Sequence, residues 1–234
     1  MVDADAASAP KTKRGSRVIP LDERTVALLL THWQRQERDR ACWGGGPQTR
    51  GEPPMARIPV HTTQSAPEQS RDQLKSLEAK FGKVINIHGG MAHSPVVLQS
   101  HIAIQQVIAD YGSFDARTRE AIALAVGNAD EFNYCQAAHT GGGKAAGLTN
   151  DEMIAIRRGE ADFDAKLEAL LTLAHQYTTN IGSVEDASWQ AALDAGWSDE
   201  QVTELSAHVT LNLLTNYFNH FVETDLDLPA APAL

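Results

Sequence analysis

The 234-residue sequence has no long apolar run and few cysteines, and it has no excess of positive charge. No stretch approaches the roughly 20 apolar residues that a membrane-spanning helix needs. Residues 1–10 lack the apolar segment of a secretory signal peptide. We therefore expect a cytoplasmic, soluble protein that does not bind membranes.

The cysteine count and the charge exclude further classes of protein. Only Cys42 and Cys135 are present, far apart in the chain, which excludes a disulfide scaffold and a thiol-rich zinc module. The formal net charge of -10 argues against a protein that binds the nucleic-acid backbone. Hydrophobic residues make up 42% of the chain, which is enough to bury a core.

The distribution of charge and the position of glycine and proline residues predict a domain boundary at Met55. Residues 1–54 hold 9 Lys/Arg against 7 Asp/Glu, whereas residues 55–234 hold 11 against 23. The first segment ends in strong breakers, Gly44–Pro47 and Pro53-Pro54. We interpret residues 1–54 as an appendage that packs poorly on a domain formed by residues 55–234.

Part of the appendage resembles a known enzyme family. The run from Pro10 to Leu21, followed by Thr25 to Leu29, resembles a piece of a tyrosine recombinase catalytic domain. The resemblance implies a β-hairpin, with Lys11 as the nearest match to a catalytic lysine. It covers residues 10–40 only, and the arginine, histidine and tyrosine motifs of that family do not follow. A fragment of this size cannot form the recombinase core, so we expect no function from it.

From Pro67 onward the apolar residues recur at helical spacing, and recognisable caps separate the segments. Gly82 is expected to end the first helix, and Ser94-Pro95 to begin another. Thr149–Glu152 has the pattern of a capping box, and Ser183 and Ser198 are the predicted caps of the last two helices. No stretch alternates convincingly with period two. The sequence predicts an all-α domain.

The glycine-rich stretch Gly141–Lys144 does not predict a phosphate-binding loop, because no strand precedes it and the spacing of a P-loop is absent. We expect a bend or break of the helix there.

Cys135 and His139 form the pair of greatest chemical interest in the sequence. On a helix, residues four apart lie on one face, so the imidazole can contact the thiol. An adjacent imidazole can remove the thiol proton or stabilise the thiolate, which is the reactive form. On spacing alone, a buried structural cysteine beside a hydrogen-bonded histidine is the commoner arrangement.

The residues around this pair resemble the carboxymuconolactone decarboxylase family, most closely its alkyl hydroperoxidase D (AhpD) branch. The resemblance rests on Tyr134–His139 and the preceding helix Arg119–Val126, with further similarity at Ala92–Pro95 and Asn216–Asn219. It implies an AhpD-like, all-α fold that forms homo-oligomers, often trimers or hexamers.

The same resemblance implies the roles of individual residues. Cys135 matches the peroxide-reacting cysteine, His139 the histidine, and Glu120 the glutamate of a proton relay. Tyr134 stands where some members have a second histidine. Phe132 replaces the first cysteine of the Cys-x-x-Cys pair, so an internal disulfide cannot form there.

These matches predict a thiol-dependent enzyme that reduces a small hydroperoxide with Cys135, His139 and Glu120, without a metal or an organic cofactor. Its oxidised cysteine would then be resolved by an external thiol reductant, or less readily by Cys42. Two alternatives stay open: a cofactor-free decarboxylase acting on a lactone, which needs no cysteine pair, and a non-enzymatic helical oligomer that binds a ligand. Tyr134, Phe132 and His93 are the candidate substrate-pocket residues.

The last predicted helix has more apolar surface than one stripe against the core requires. The excess comes from its aliphatic and aromatic residues Leu205, Val209, Leu213, Tyr217, Phe218 and Phe221. Such an excess is typical of a subunit interface, so we expect a homo-oligomer in which this helix contributes to the contact.

Overall fold

The computed structural model describes residues 56–129 and 133–234, and these ranges form nine helices and no strand. The helices are α1 Glu68–Phe81, α2 Asn86–Met91, α3 Pro95–Tyr111, α4 Ala116–Ala129, α5 Asn133–Ala145, α6 Asn150–Arg158, α7 Ala165–Thr179, α8 Asp186–Asp194 and α9 Asp199–Val222. The predicted all-α fold class is confirmed. The proposed appendage and its boundary at Met55, Cys42 within it, and Phe132 all lie outside the described residues.

The central element of the fold is α4. Seven consecutive residues of this helix, Ala121–Gly127, are buried, so it is apolar on every side. It packs against α5, α6, α7 and α9. A second, smaller apolar cluster is formed by residues of α1, α2 and α3, among them Leu74, Met91 and Leu98, together with Tyr134 of α5. In the described part of the chain, no helix is both long enough and apolar enough to span a bilayer.

Several helices begin or end at the capping residues that the sequence predicts. Gly82 ends α1 in the left-handed conformation, with φ 75°. Thr149 and Glu152 form the predicted capping box of α6. Ser198 caps α9 in the same manner, since its hydroxyl accepts from the backbone N–H of Gln201. These predictions are confirmed.

The predicted cap at Ser183 is wrong. Helix α8 begins at Asp186, and its N-terminus is held by a side chain from another helix. The amide of Gln176 on α7 accepts from the backbone N–H of Glu185 at 2.9 Å and donates to the hydroxyl of Ser188 at 2.9 Å. A hydrogen bond from the preceding helix thus caps α8, in place of the serine that the local sequence pattern predicted.

The predicted break at Gly141–Gly143 is also wrong, because α5 continues through it to Ala145. Two of these glycines allow close packing. A Cβ on Gly142 would lie 2.5–2.7 Å from the carboxylate of Glu120, and one on Gly143 would lie 2.8 Å from the sulfur of Met153. A Cβ on Gly141 would meet nothing within 4 Å.

Candidate active site

Glu120 and His139 form a hydrogen-bonded pair between neighbouring helices. Glu120 lies on α4 and His139 on α5, and the carboxylate Oε2 is 2.9 Å from the imidazole Nδ1. Both side chains are partly exposed, at 27% and 28%. With Nδ1–H donating to the carboxylate, Nε2 carries the lone pair and is the nitrogen that can accept a proton.

Cys135 lies one turn before His139 on α5 and is buried. The amide Nδ2 of Asn219 on α9 donates toward its sulfur at 3.8 Å. On the α4 side, a Cβ on Gly127 would be 3.4 Å from the Cβ of Cys135, so this glycine allows α4 and α5 to approach closely at the thiol.

Tyr134 connects this helix to the C-terminal segment. Its hydroxyl donates to Oδ1 of Asp227 at 2.8 Å and accepts from the backbone N–H of Ile87 at 3.4 Å. Burial is the main cause that raises the pKa of Tyr134 well above its usual value, and the bond to Asp227 adds to the increase. Asp227 also accepts from Lys83 at 2.9 Å, so the tyrosine is held as a neutral donor.

One cavity of about 380 Å³ brings the predicted residues together, because Glu120, Tyr134, Cys135 and His139 all line it. Its size suits a small organic molecule. The other lining residues come from α1, the α1–α2 loop, α2, α3, α5 and α9: Lys80, Phe81, Ile85, Ile87, His88, His101, Gln105, Ala138, Gly142, Leu211, Asn212 and Thr215.

The expectation for His93 needs correction, because this residue does not line the cavity. Its side chain is exposed, with Nε2 bonded to the carbonyl of Pro59 at 2.8 Å. Its ring lies against that of His61, with centroids 4.0 Å apart. Five residues earlier in the chain, His88 on α2 lies in the cavity wall instead.

Sequence reasoning missed the pair formed by His88 and His101. Both are buried, at 4% and 3% exposure, and their ring centroids are 5.6 Å apart. Burial is the main cause that lowers the pKa of His88 to about 3 and that of His101 to about 4. His101 follows buried Leu98 by three residues on α3, so it lies on the apolar face of that helix. A histidine at such a position is the one feature of the sequence that could have predicted this pair.

Metal binding finds no support in the described ranges, where no group of three or more His, Cys, Asp or Glu side chains could hold an ion. The reactive and ionisable groups that line the cavity include a thiol, a carboxylate–imidazole pair, a tyrosine hydroxyl, a lysine ammonium and two buried imidazoles.

Comparison with known proteins finds a family model that matches part of the chain and solved structures that share its fold. Residues 102–176 match the model of the carboxymuconolactone decarboxylase family. No curated protein sequence matches the chain significantly. Three solved structures share its fold, and the chain covers nearly the full length of each.

The first is the alkylhydroperoxidase AhpD core of an uncharacterised peroxidase-related protein from Ralstonia eutropha JMP134, with 21% identity and a TM-score of 0.67, covering 75% of this chain and 94% of that one. An uncharacterised peroxidase-related protein from a Silicibacter species has 18% identity and a TM-score of 0.62, covering 77% and 95%. The debrominase Bmp8, bound to 2,3,4-tribromopyrrole, has 16% identity and a TM-score of 0.63, covering 76% and 94%.

Proposed function

Because residues 102–176 match the model of the carboxymuconolactone decarboxylase family and the chain has the AhpD-like helical fold, we propose that it reduces organic hydroperoxides with Cys135 as the reacting thiol. One observation carries the proposal: the hydrogen-bonded pair of Glu120 and His139 lines the same cavity as Cys135. A base held by a carboxylate, one helical turn from a thiol, is the arrangement that thiol chemistry needs.

In the first step, His139 accepts the thiol proton at Nε2 while Glu120 holds Nδ1 and stabilises the imidazolium. The Cys135 thiolate then attacks one peroxide oxygen. The S–O bond forms as the O–O bond breaks, and the imidazolium returns its proton to the departing alkoxide. The products are an alcohol and a sulfenic acid, so sulfur loses the two electrons that the peroxide gains.

In the second step, an external thiol attacks the sulfenic acid, which forms a mixed disulfide and releases water. A second thiol then displaces Cys135 and leaves as the oxidised disulfide. The position three residues before Cys135 is Phe132, which has no thiol, so a disulfide across one helical turn cannot resolve the sulfenic acid.

The test is peroxide consumption with a dithiol reductant in the variants Cys135→Ser, His139→Ala and Glu120→Gln. We expect Cys135→Ser to abolish turnover, and Glu120→Gln to lower it by about 10- to 100-fold because the imidazole loses its orientation. His93→Ala is the matched control, since this histidine lies outside the cavity. Full turnover in Cys135→Ser would show that the thiol mechanism is wrong.

A decarboxylase acting on a lactone is the second candidate, because the pair of Glu120 and His139 can do acid–base chemistry without a thiol. In that case Cys135 only lines the pocket. Turnover of a carboxylated lactone that survives Cys135→Ala but not His139→Ala would favour it. If alkylating reagents leave Cys135 unmodified in the folded protein and neither substrate is consumed, a ligand-binding role without catalysis remains.

A further inference from the structure

The cavity contains a second set of polar groups that the peroxide chemistry does not use. His88 lies on α2 and His101 on α3, and both belong to the cavity wall. Within the described structure, Nδ1 of His88 and both ring nitrogens of His101 are buried without a hydrogen-bond partner. Buried polar atoms of this kind cost free energy unless something pairs with them. A ligand in the cavity would provide the missing partner.

The charge beside these rings indicates what that ligand is. Lys80, at the end of α1, also lines the cavity, and its positive charge is one of the causes that lower the pKa of both histidines. Of the described residues that line the cavity, Lys80 is the one with a permanent positive charge. The carboxylate of Glu120 in the same cavity is already hydrogen-bonded to His139. Lys80 is therefore left to pair with a monoanion, to which the two neutral imidazoles can each donate one N–H.

We propose that His88, His101 and Lys80 bind the carboxylate of the substrate, so that the enzyme acts on acidic organic molecules. The apolar side chains of Phe81 and Ile87 line the same cavity and suit the hydrocarbon part of such a molecule. The substrate class, a carboxylated hydroperoxide, rests on the proposed function, whereas the carboxylate site itself does not.

Binding of a carboxylate to these rings is coupled to proton uptake. A carboxylate in contact with an imidazole raises its pKa by about 1–3 units, and the pKa of His101 in the free protein is about 4. We therefore expect uptake to be largest near pH 5.5, where the free rings are neutral. The other charged or titratable groups at the pair come from α1, α4, α5 and the C-terminal segment: Lys80, Glu120, Tyr134, Cys135, His139 and Asp227.

The experiment is calorimetric titration of the full chain with benzoate, and with benzamide as its neutral isostere, in two buffers of different ionisation enthalpy. At pH 5.5 we expect benzoate to bind at least about ten-fold more tightly than benzamide, with measurable proton uptake. Its affinity should fall several-fold by pH 8, whereas that for benzamide should not change. Equal binding of the two compounds would overturn the proposal.

Two variants identify the residues responsible. His101→Gln keeps a neutral hydrogen-bonding group but cannot take up a proton, so proton uptake should fall and benzoate should bind about ten-fold more weakly. Lys80→Gln changes an exposed side chain and should weaken benzoate about three-fold without affecting the fold. Lys75→Gln on the same helix is the matched control, since Lys75 does not line the cavity. An equal effect of Lys75→Gln would overturn the proposal.

Measurements of turnover distinguish the carboxylate site from the thiol mechanism proposed above. A carboxylated hydroperoxide should have a lower KM than its methyl ester in the wild-type protein, and Lys80→Gln should reduce that difference. If Cys135→Ser abolishes turnover but acid and ester react alike, the thiol mechanism stands and the carboxylate site is wrong. If benzoate binds with proton uptake but Cys135→Ser keeps full turnover, the carboxylate site stands and the thiol mechanism is wrong.

Discussion

Replacing Gly142 by alanine tests whether contact between α4 and α5 sets the geometry of the active site. The added Cβ would lie 2.5 Å from Oε2, 2.6 Å from Cδ and 2.7 Å from Oε1 of Glu120. Ordinary contact begins near 3.4 Å, so the carboxylate must move away by about 1 Å. The hydrogen bond to His139, now 2.9 Å long, would then exceed the range of such bonds.

Gly141→Ala is the matched control, because a Cβ there meets nothing within 4 Å and the two glycines are neighbours in the same helix. Alanine favours a helix over glycine by about 1 kcal/mol, so the free energy of unfolding should rise in Gly141→Ala. In Gly142→Ala the gain is smaller, because the clash offsets it. We expect kcat/KM for peroxide to fall by about 10- to 100-fold in Gly142→Ala alone.

Peroxide consumption and urea unfolding of both variants measure these effects. The double variant Gly142→Ala with Glu120→Gln should lose no more activity than the worse single variant, because both act on the same hydrogen bond. Wild-type turnover in Gly142→Ala would refute the reasoning, and so would an equal loss in Gly141→Ala.

Four further predictions follow from other parts of the molecule. His88 and His101 are neutral when folded, so the unfolded chain binds more protons below pH 6.5, and the free energy of unfolding should fall from there toward pH 4. For His101 the decrease in the free energy of unfolding approaches about 3 kcal/mol. In urea unfolding, the stability of His101→Gln should therefore depend less on pH than that of the wild-type protein. Ile181 has φ 54° and is exposed, so Ile181→Gly should raise the free energy of unfolding by about 1 kcal/mol in thermal or urea melts; a lower value would contradict the strain. A chain that begins at Met55 should keep the helical content and activity of the full chain, as circular dichroism and the peroxide assay can measure. Light scattering should find a homo-oligomer whose mass falls in Phe221→Lys, because Phe221 is 73% exposed on α9; a monomeric wild-type protein at micromolar concentration would contradict this.

The sequence predicts those features of the fold that depend on neighbouring residues. Gly82, Thr149 and Ser198 end or begin their helices as predicted, because caps act within one turn. The start of α8 could not be predicted in this way, since Gln176 reaches it from another helix. The short helix α2 was missed because six residues are too few to show a periodic pattern.

In the candidate site, too, the features that depend on neighbouring residues could be predicted and those that depend on distant residues could not. Cys135 and His139 are recognisable from their spacing on one helix, and the family resemblance adds Glu120. The close approach of Glu120 leaves no room for a Cβ at Gly142, and these two residues are 22 positions apart in the chain. The local glycine pattern alone therefore led to the wrong prediction of a break. The pairing of His88 with His101 is a product of tertiary burial, which leaves little trace in the sequence.

The bond between Tyr134 and Asp227 has a consequence for how the protein is made. Asp227 lies in the segment after α9, and its carboxylate accepts hydrogen bonds from the tyrosine adjacent to Cys135 and from Lys83 of the α1–α2 loop. Because the chain is synthesised from its N-terminus, helices α4 to α7 leave the ribosome before this carboxylate does. A chain truncated after α9 would therefore keep the thiol of the cavity but lose the contact between Asp227 and the adjacent tyrosine.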